Sequence, residues 1–249
     1  MGQVPNRHYL IVGDGKVGRH FSEYFRLAGV RFRGWSRSVK QRECITLEAA
    51  LEPCDTALLL ISDSAIEQFI RQHSCLGGKK LVHFSGSLAT HLALGIHPLM
   101  TFGPEVYDLP TYEDIPFVCE KAVEFTDIFP SLKNPHFYVQ PELKPLYHAL
   151  CVMSGNFTTL LWQKLFTEFE NRLGIPRQAA IPYLRQTAKN LEAKGLNALT
   201  GPLQRGDRGT IAKNIAALEG DPFQEIYKSV ASVFATKPTE RDNTKETTL

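Results

Sequence analysis

His8-Tyr9-Leu10-Ile11-Val12-Gly13-Asp14-Gly15-Lys16-Val17-Gly18 is the stretch that decides the fold. His8–Val12 is an apolar run bounded by glycine, as a buried strand would be. Val17–Leu27 follows with Val17, Phe21, Tyr24, Phe25 and Ala28 near helical spacing, and Gly29 stops it. Between strand and helix lies G-x-G-x-x-G, and that context gives the string its meaning. Gly13 permits the tight turn, Gly15 lets the backbone approach a pyrophosphate, and Gly18 lets helix and strand pack closely. Free N–H groups at the helix start then face the anion. Gly13, Asp14, Gly15, Lys16, Val17 and Gly18 are therefore assigned to a dinucleotide; the alternative is a glycine-rich turn that binds nothing. Asp14 is an awkward neighbour for phosphate and is expected to point outward.

Working outward, Val30–Trp35 reads as a second strand. An Asp or Glu closing this strand would accept from the 2′-hydroxyl of NAD. Here the chain reads Ser36-Arg37-Ser38, then Lys40 and Arg42, with no carboxylate. Ser36, Arg37 and Ser38 can hold a 2′-phosphate, Arg37 as the bidentate donor, so NADP is expected over NAD. The alternative is a solvated basic loop. Ala57–Ile61, Lys80–Phe84, Gly95–Leu99, Pro116–Val118 and Phe137–Val139 continue the strand series, with a helix at Ala65–His73 capped by Ser62 or Asp63. The alternation predicts an α/β fold, a Rossmann-type doubly wound parallel sheet with right-handed crossovers.

Strand signals vanish from about Pro141. Pro145–Leu173 keeps helical periodicity until Gly174 and Pro176, and further helices are expected at Arg177–Ala193, Thr210–Leu218 and Pro222–Ala235. The reading is a Rossmann domain over 1–140, an all-α domain over 141–236 meeting it across a cleft, and a disordered polar tail over 237–249. The 249 residues allow two such domains, and 43% hydrophobic content is enough for a core. A net charge of +2, mixed along the chain, argues against nucleic acid or membrane as a partner and leaves a small molecule. No apolar run approaches a membrane span, and the first residues lack a signal-peptide core. Five scattered cysteines without C-x-x-C suggest a reduced, cytoplasmic protein with no structural metal.

Ligands in such sheets bind at the carboxyl ends of the strands. Ser62 follows one such end and is counted with the cofactor residues. Ser85 follows the next; it either donates to substrate or nicotinamide amide, or organises its loop. His97, held extended by Pro98, is a candidate to pass a proton to or from a substrate oxygen if tuned near neutral pH, or is a packed turn histidine. His148, Gly155 and Asn156 fall near one stripe of the long helix and read as a ligand wall, or as buried polar groups satisfied by neighbouring helices. Arg205 is placed to clamp a substrate carboxylate, with Asp207 fixing it or capping the next helix.

Gly13-x-Gly15-x-x-Gly18, His97-Pro98-Leu99, Tyr147-His148 with Asn156, and Gly201-Pro202-Leu203-Gln204-Arg205-Gly206-Asp207 together resemble the DUF2520 family, which pairs a Rossmann-like NADP-binding domain with a helical domain of unknown function. The likeness covers nearly the whole chain except the tail, and the Gly-Pro-Leu-x-Arg-Gly-Asp string is its most specific piece. The family is similar to the 6-phosphogluconate dehydrogenase-like superfamily, which includes ketopantoate reductase, hydroxyisobutyrate dehydrogenase and prephenate dehydrogenase. By that resemblance His97 matches the proton-transfer histidine of prephenate dehydrogenase. The hydroxyacid dehydrogenases carry Lys-x-x-x-Asn instead; aligning Asn156 with that Asn puts Val152 at the lysine position, so the resemblance leaves His148, one turn earlier, as the alternative to His97 for moving the proton, with Asn156 orienting the reacting oxygen. The resemblance implies an NADP-dependent oxidoreductase acting on a small anionic carbonyl or hydroxyl compound, and a homodimer through the helical domain. An inactive NADPH sensor or regulatory protein and a deazaflavin-linked NADP reductase stay open.

Overall fold

The computed structural model describes residues 7–38 and 45–235. Lys40, Arg42 and the tail from residue 237 lie outside them. In chain order the first elements are β1 His8–Val12, α1 Lys16–Leu27, β2 Arg31–Trp35, α2 Leu47–Leu51, β3 Thr56–Leu59, α3 Asp63–Gln72, β4 Lys80–His83 and β5 Leu94–Pro98. Then follow α4 Leu109–Glu113, β6 Phe117–Glu120, α5 Phe125–Ile128 and β7 His136–Val139. The strands form one sheet in the order β2-β1-β3-β4-β5-β6-β7. Val12 lies beside Trp35 on one side and Leu59 on the other, so the β1–α1 turn leaves the sheet where the strand order reverses. That reversal opens a crevice at the carboxyl ends of β1 and β3.

The sheet differs from the expected one at a single pairing. β6 runs antiparallel to β5, with Ile96 opposite Cys119 and His97 opposite Val118. An antiparallel neighbour needs no crossover helix, and only the short α4 interrupts the connection between the two strands. The helices α2, α4 and α5 are too short to show periodicity. Two of them are marked by their caps: Thr46 accepts from the Ala49 amide and Asp108 from that of Thr111.

Alternation along β1 feeds two cores. Tyr9 and Ile11 join Phe21, Tyr24 and Phe25 of α1 on one face, while Leu10 and Val12 join Trp35, Leu47, Leu59 and Ile66 on the other. Leu10 and Phe25 are fully buried; burial on that scale is worth about 1.5–3 kcal/mol per side chain.

Beyond β7 the chain is helical. The continuous helix expected over Pro145–Leu173 is instead α6 Lys144–Val152, a π-helical turn Met153–Phe157, and α7 Thr158–Asn171. Then come α8 Ile181–Lys194, α9 Gly201–Arg205, α10 Arg208–Ala217 and α11 Phe223–Ala235. The chain divides into two compact units, Met1–Gln163 and Lys164–Leu249. Within the second, Lys164 pairs with Glu168 and Asp221, and Asn214 donates to the Tyr227 hydroxyl at 2.9 Å. No helix among the described residues is long and apolar enough to cross a membrane.

Candidate active site

The turn after β1 is built from steric necessity. Gly13 has φ +115°, and a Cβ there would lie 2.3 Å from the Leu60 carbonyl oxygen. A Cβ on Gly18 would lie 2.3 Å from the Gly13 carbonyl oxygen, so α1 rests directly on the turn. Over Gly15 the situation reverses: a Cβ would meet nothing within 4 Å. Gly15 is also the N-cap of α1, no side chain caps the helix, and its first turn carries no acidic residue. The amides of Lys16, Val17 and Gly18 therefore have no capping side chain, and the helix dipole adds positive potential there. An open space over uncapped amides fits the diphosphate of a dinucleotide.

Asp14 turns toward the end of β2. Its Oδ2 accepts from the Ser36 hydroxyl at 2.9 Å and the Ser38 hydroxyl at 2.5 Å, and the two hydroxyls are 2.8 Å apart. Asp14 is exposed, and its carboxylate is drawn to the end of β2 because two hydroxyl donors stand within reach. Arg37 between them is exposed.

A second cluster gathers at the carboxyl ends of β4 and β5. His97 Nδ1 lies 2.7 Å from the Tyr147 hydroxyl of α6, and the His148 ring stands edge-on to His97 with centroids 6.1 Å apart. Gly86, in the turn after β4, makes room for both: a Cβ there would be 2.5 Å from His148 Cδ2 and 3.1 Å from His97 Nε2. Burial pushes the His97 pKa down to about 4, helped by the neighbouring His148 and Lys144 and opposed by Asp63. At pH 7 His97 is a neutral ring, because burial disfavours its charged form.

Beneath this pair lies a buried charge cluster that the sequence reading missed. Lys144, 2% exposed, donates from Nζ to Glu120 Oε1 at 2.7 Å. His83 Nε2 is 3.9 Å from the same oxygen, and neither ring nitrogen of His83 has a hydrogen-bond partner. Gly95 closes over the cluster; a Cβ there would be 2.3 Å from Glu120 Oε1. Burial first, then the Lys144 charge, lowers the His83 pKa to about 4.

These shifts carry a pH signature. In the unfolded chain both histidines take up a proton near 6.5, but in the folded one only near 4. Their neutral burial is therefore without penalty above about pH 6.5, and stability falls as pH drops from there toward 4, by about 3 kcal/mol for fully buried His83. Urea unfolding at about pH 7.5 and about pH 5 should show the midpoint dropping on acidification, and His83→Asn should flatten the drop. Equal slopes in the two proteins would contradict the assignment.

The remaining candidates separate. Ser62 is exposed at the N-cap of α3 and makes no capping hydrogen bond, contrary to the cap expected there. Ser85 is 4% exposed; its hydroxyl donates to Asp63 Oδ2 at 2.5 Å and accepts from the Ser87 and Leu88 amides, which makes it the organiser of its loop. Asn156 and Gly155 are exposed in the π-helical turn. The regular helical count that put His148, Gly155 and Asn156 on one wall fails across a π turn, although such turns are frequent at functional sites. Arg205 ends α9 in the second unit, and Asp207 caps α10 through the Thr210 amide at 3.0 Å and hydroxyl at 2.7 Å. Among the described residues no group of His, Cys, Asp and Glu could hold a metal ion.

Comparison with known proteins agrees with this architecture. Residues 120–233 match the domain of unknown function DUF2520. A protein of Bacteroides fragilis assigned as an NADP oxidoreductase is similar over 93% of this chain and 98% of its own, at 19% identity and TM-score 0.72. A Thermotoga maritima protein matches over 91% and 96%, at 20% identity and TM-score 0.67. A Streptomyces aurantiacus imine reductase matches over 92% and 93%, at 14% identity and TM-score 0.60. No curated protein matches the chain. At such identities the structural likenesses show the fold.

Proposed function

We propose that this chain, which matches DUF2520 over residues 120–233, is an NADP-dependent oxidoreductase that acts on a small anionic carbonyl or hydroxyl compound. The observation that carries the reading is the uncapped start of α1 over Gly13, Gly15 and Gly18, opening on the same edge of the sheet as His97 and Tyr147. Arg37, Ser36 and Ser38 at the end of β2 favour the 2′-phosphorylated form. The bound dinucleotide would supply or accept a hydride at its nicotinamide ring.

The chain's own groups handle the proton. Tyr147 engages Nδ1 of His97, which leaves Nε2 as the nitrogen for a substrate oxygen. A ring with pKa about 4 holds no extra proton at pH 7, so in the oxidative direction it serves as a base. Burial keeps it so, while Tyr147 fixes the ring plane. A sensor without turnover is the second reading, favoured by Val152 at the superfamily's lysine position and by Lys144 being committed to Glu120.

The test is NADPH consumption across two panels, 2-keto acids and cyclic imines, the latter suggested by the imine reductase likeness. Turnover of an anionic member supports the enzyme. Binding of NADPH with no turnover on either panel supports the sensor and overturns the catalytic reading.

A further inference from the structure

We propose that the buried Lys144–Glu120 pair is a positioning device: it seats α6 on the sheet so that the Tyr147 hydroxyl meets His97 Nδ1 and Nε2 stays free. The inference rests on the reading of His97 as the proton-handling group and deepens it. All of these residues lie within the first compact unit. α6 carries Tyr147 and His148 to the site, yet its buried residue is a lysine. Lys144, Tyr147 and His148 share one face at i, i+3 and i+4, while Leu146 and Leu150 are 58% and 54% exposed. The helix is thus anchored through a charge rather than through apolar side chains.

The seat is shaped to that charge. Ile96 pairs with Cys119, so Glu120 falls opposite Gly95, and His83 pairs with Gly95 from the other side. A Cβ on Gly95 would stand 2.3 Å from Glu120 Oε1 and 2.6 Å from Lys144 Nζ, so both ends of the pair occupy the space the glycine leaves. His97 is two residues further along β5, on the same face. His83 closes the far wall. Its Nε2 is 3.9 Å from Glu120 Oε1, too long for a hydrogen bond, whereas Lys144 Nζ is at 2.7 Å. Stability does not explain such a pair, because apolar side chains of similar volume in its place are often neutral or stabilising. Apolar contact has no direction. A charged hydrogen bond, in a slot that a methyl would fill, fixes where α6 sits.

The experiment reads the His97 ring directly, by nitrogen NMR of its imidazole in the full chain, the signals being assigned by their loss in His97→Gln. In the native protein Tyr147→Phe is expected to shift the Nδ1 resonance, because the hydroxyl leaves it. In Lys144→Met with Glu120→Leu, shown to be folded by its urea midpoint, that resonance is expected to stand already at the Tyr147→Phe position. Adding Tyr147→Phe should then change nothing further. Gly95→Ala, which puts a methyl against both charges, should act in the same way. Native ring signals in the paired variant, still responding to Tyr147→Phe, overturn the proposal. Once a substrate is turned over, the paired variant should lose roughly 10- to 100-fold in turnover at unchanged NADPH affinity. If His97→Ala keeps its turnover, the reading of His97 as proton carrier fails, and the ring signals still decide whether the pair seats α6.

Discussion

Lys144→Ala is expected to cost about 3–5 kcal/mol of folding stability, because it strands a buried carboxylate. Glu120 has an 11% exposed side chain, and its Oε1 accepts from Lys144 Nζ at 2.7 Å beneath Gly95. Without the lysine nothing compensates that charge except His83, a ring that burial keeps neutral. The loss is a large share of the roughly 5–15 kcal/mol available to a typical native protein. Urea unfolding reads it directly. A cost below about 1 kcal/mol would mean the pair is solvated, as surface pairs are. The paired replacement Lys144→Met with Glu120→Leu should recover most of the loss, since it removes both charges from the interior.

His97→Ala is expected to lower turnover by roughly a hundred- to ten-thousand-fold, the range for a positioned acid–base group. Dinucleotide affinity should hold, because the amides of α1 are unaltered. Tyr147→Phe removes the hydroxyl that engages Nδ1 and should cost less, since the ring keeps its place on β5. The contrast between the two variants separates chemistry from positioning. A His97→Ala enzyme within two- or threefold of native turnover would assign the proton to another group.

The part of the fold legible in sequence was the part dictated locally. Gly13 is required by its own φ and by the Leu60 carbonyl, and β3 is buried at every position, so each leaves a trace in a short window. The antiparallel β6 left no trace, because strand direction depends on what the connecting segment does in space. The Glu120–Lys144 pair was illegible for a related reason. Its partners are 24 residues apart, and Lys144 ahead of Pro145 reads as a solvated helix start until β6 and α6 are placed together. His83 looked like the end of an apolar strand; its isolation is a property of its neighbours. The π-helical turn was hidden because Leu150, Met153, Phe157 and Leu160 continue the apolar rhythm through it. Asp14 stood out as a charge beside an expected anion, yet only the register of β1 with β2 shows that it meets Ser36.

The proposed chemistry requires that the β1–α1 turn grip a nicotinamide dinucleotide and aim it along the sheet edge that bears His97. Calorimetric titration of NADPH into the intact chain tests it most directly. One saturating site with measurable heat is expected; absence of heat with NADPH, NADP, NADH and NAD alike would mean that the turn holds no dinucleotide.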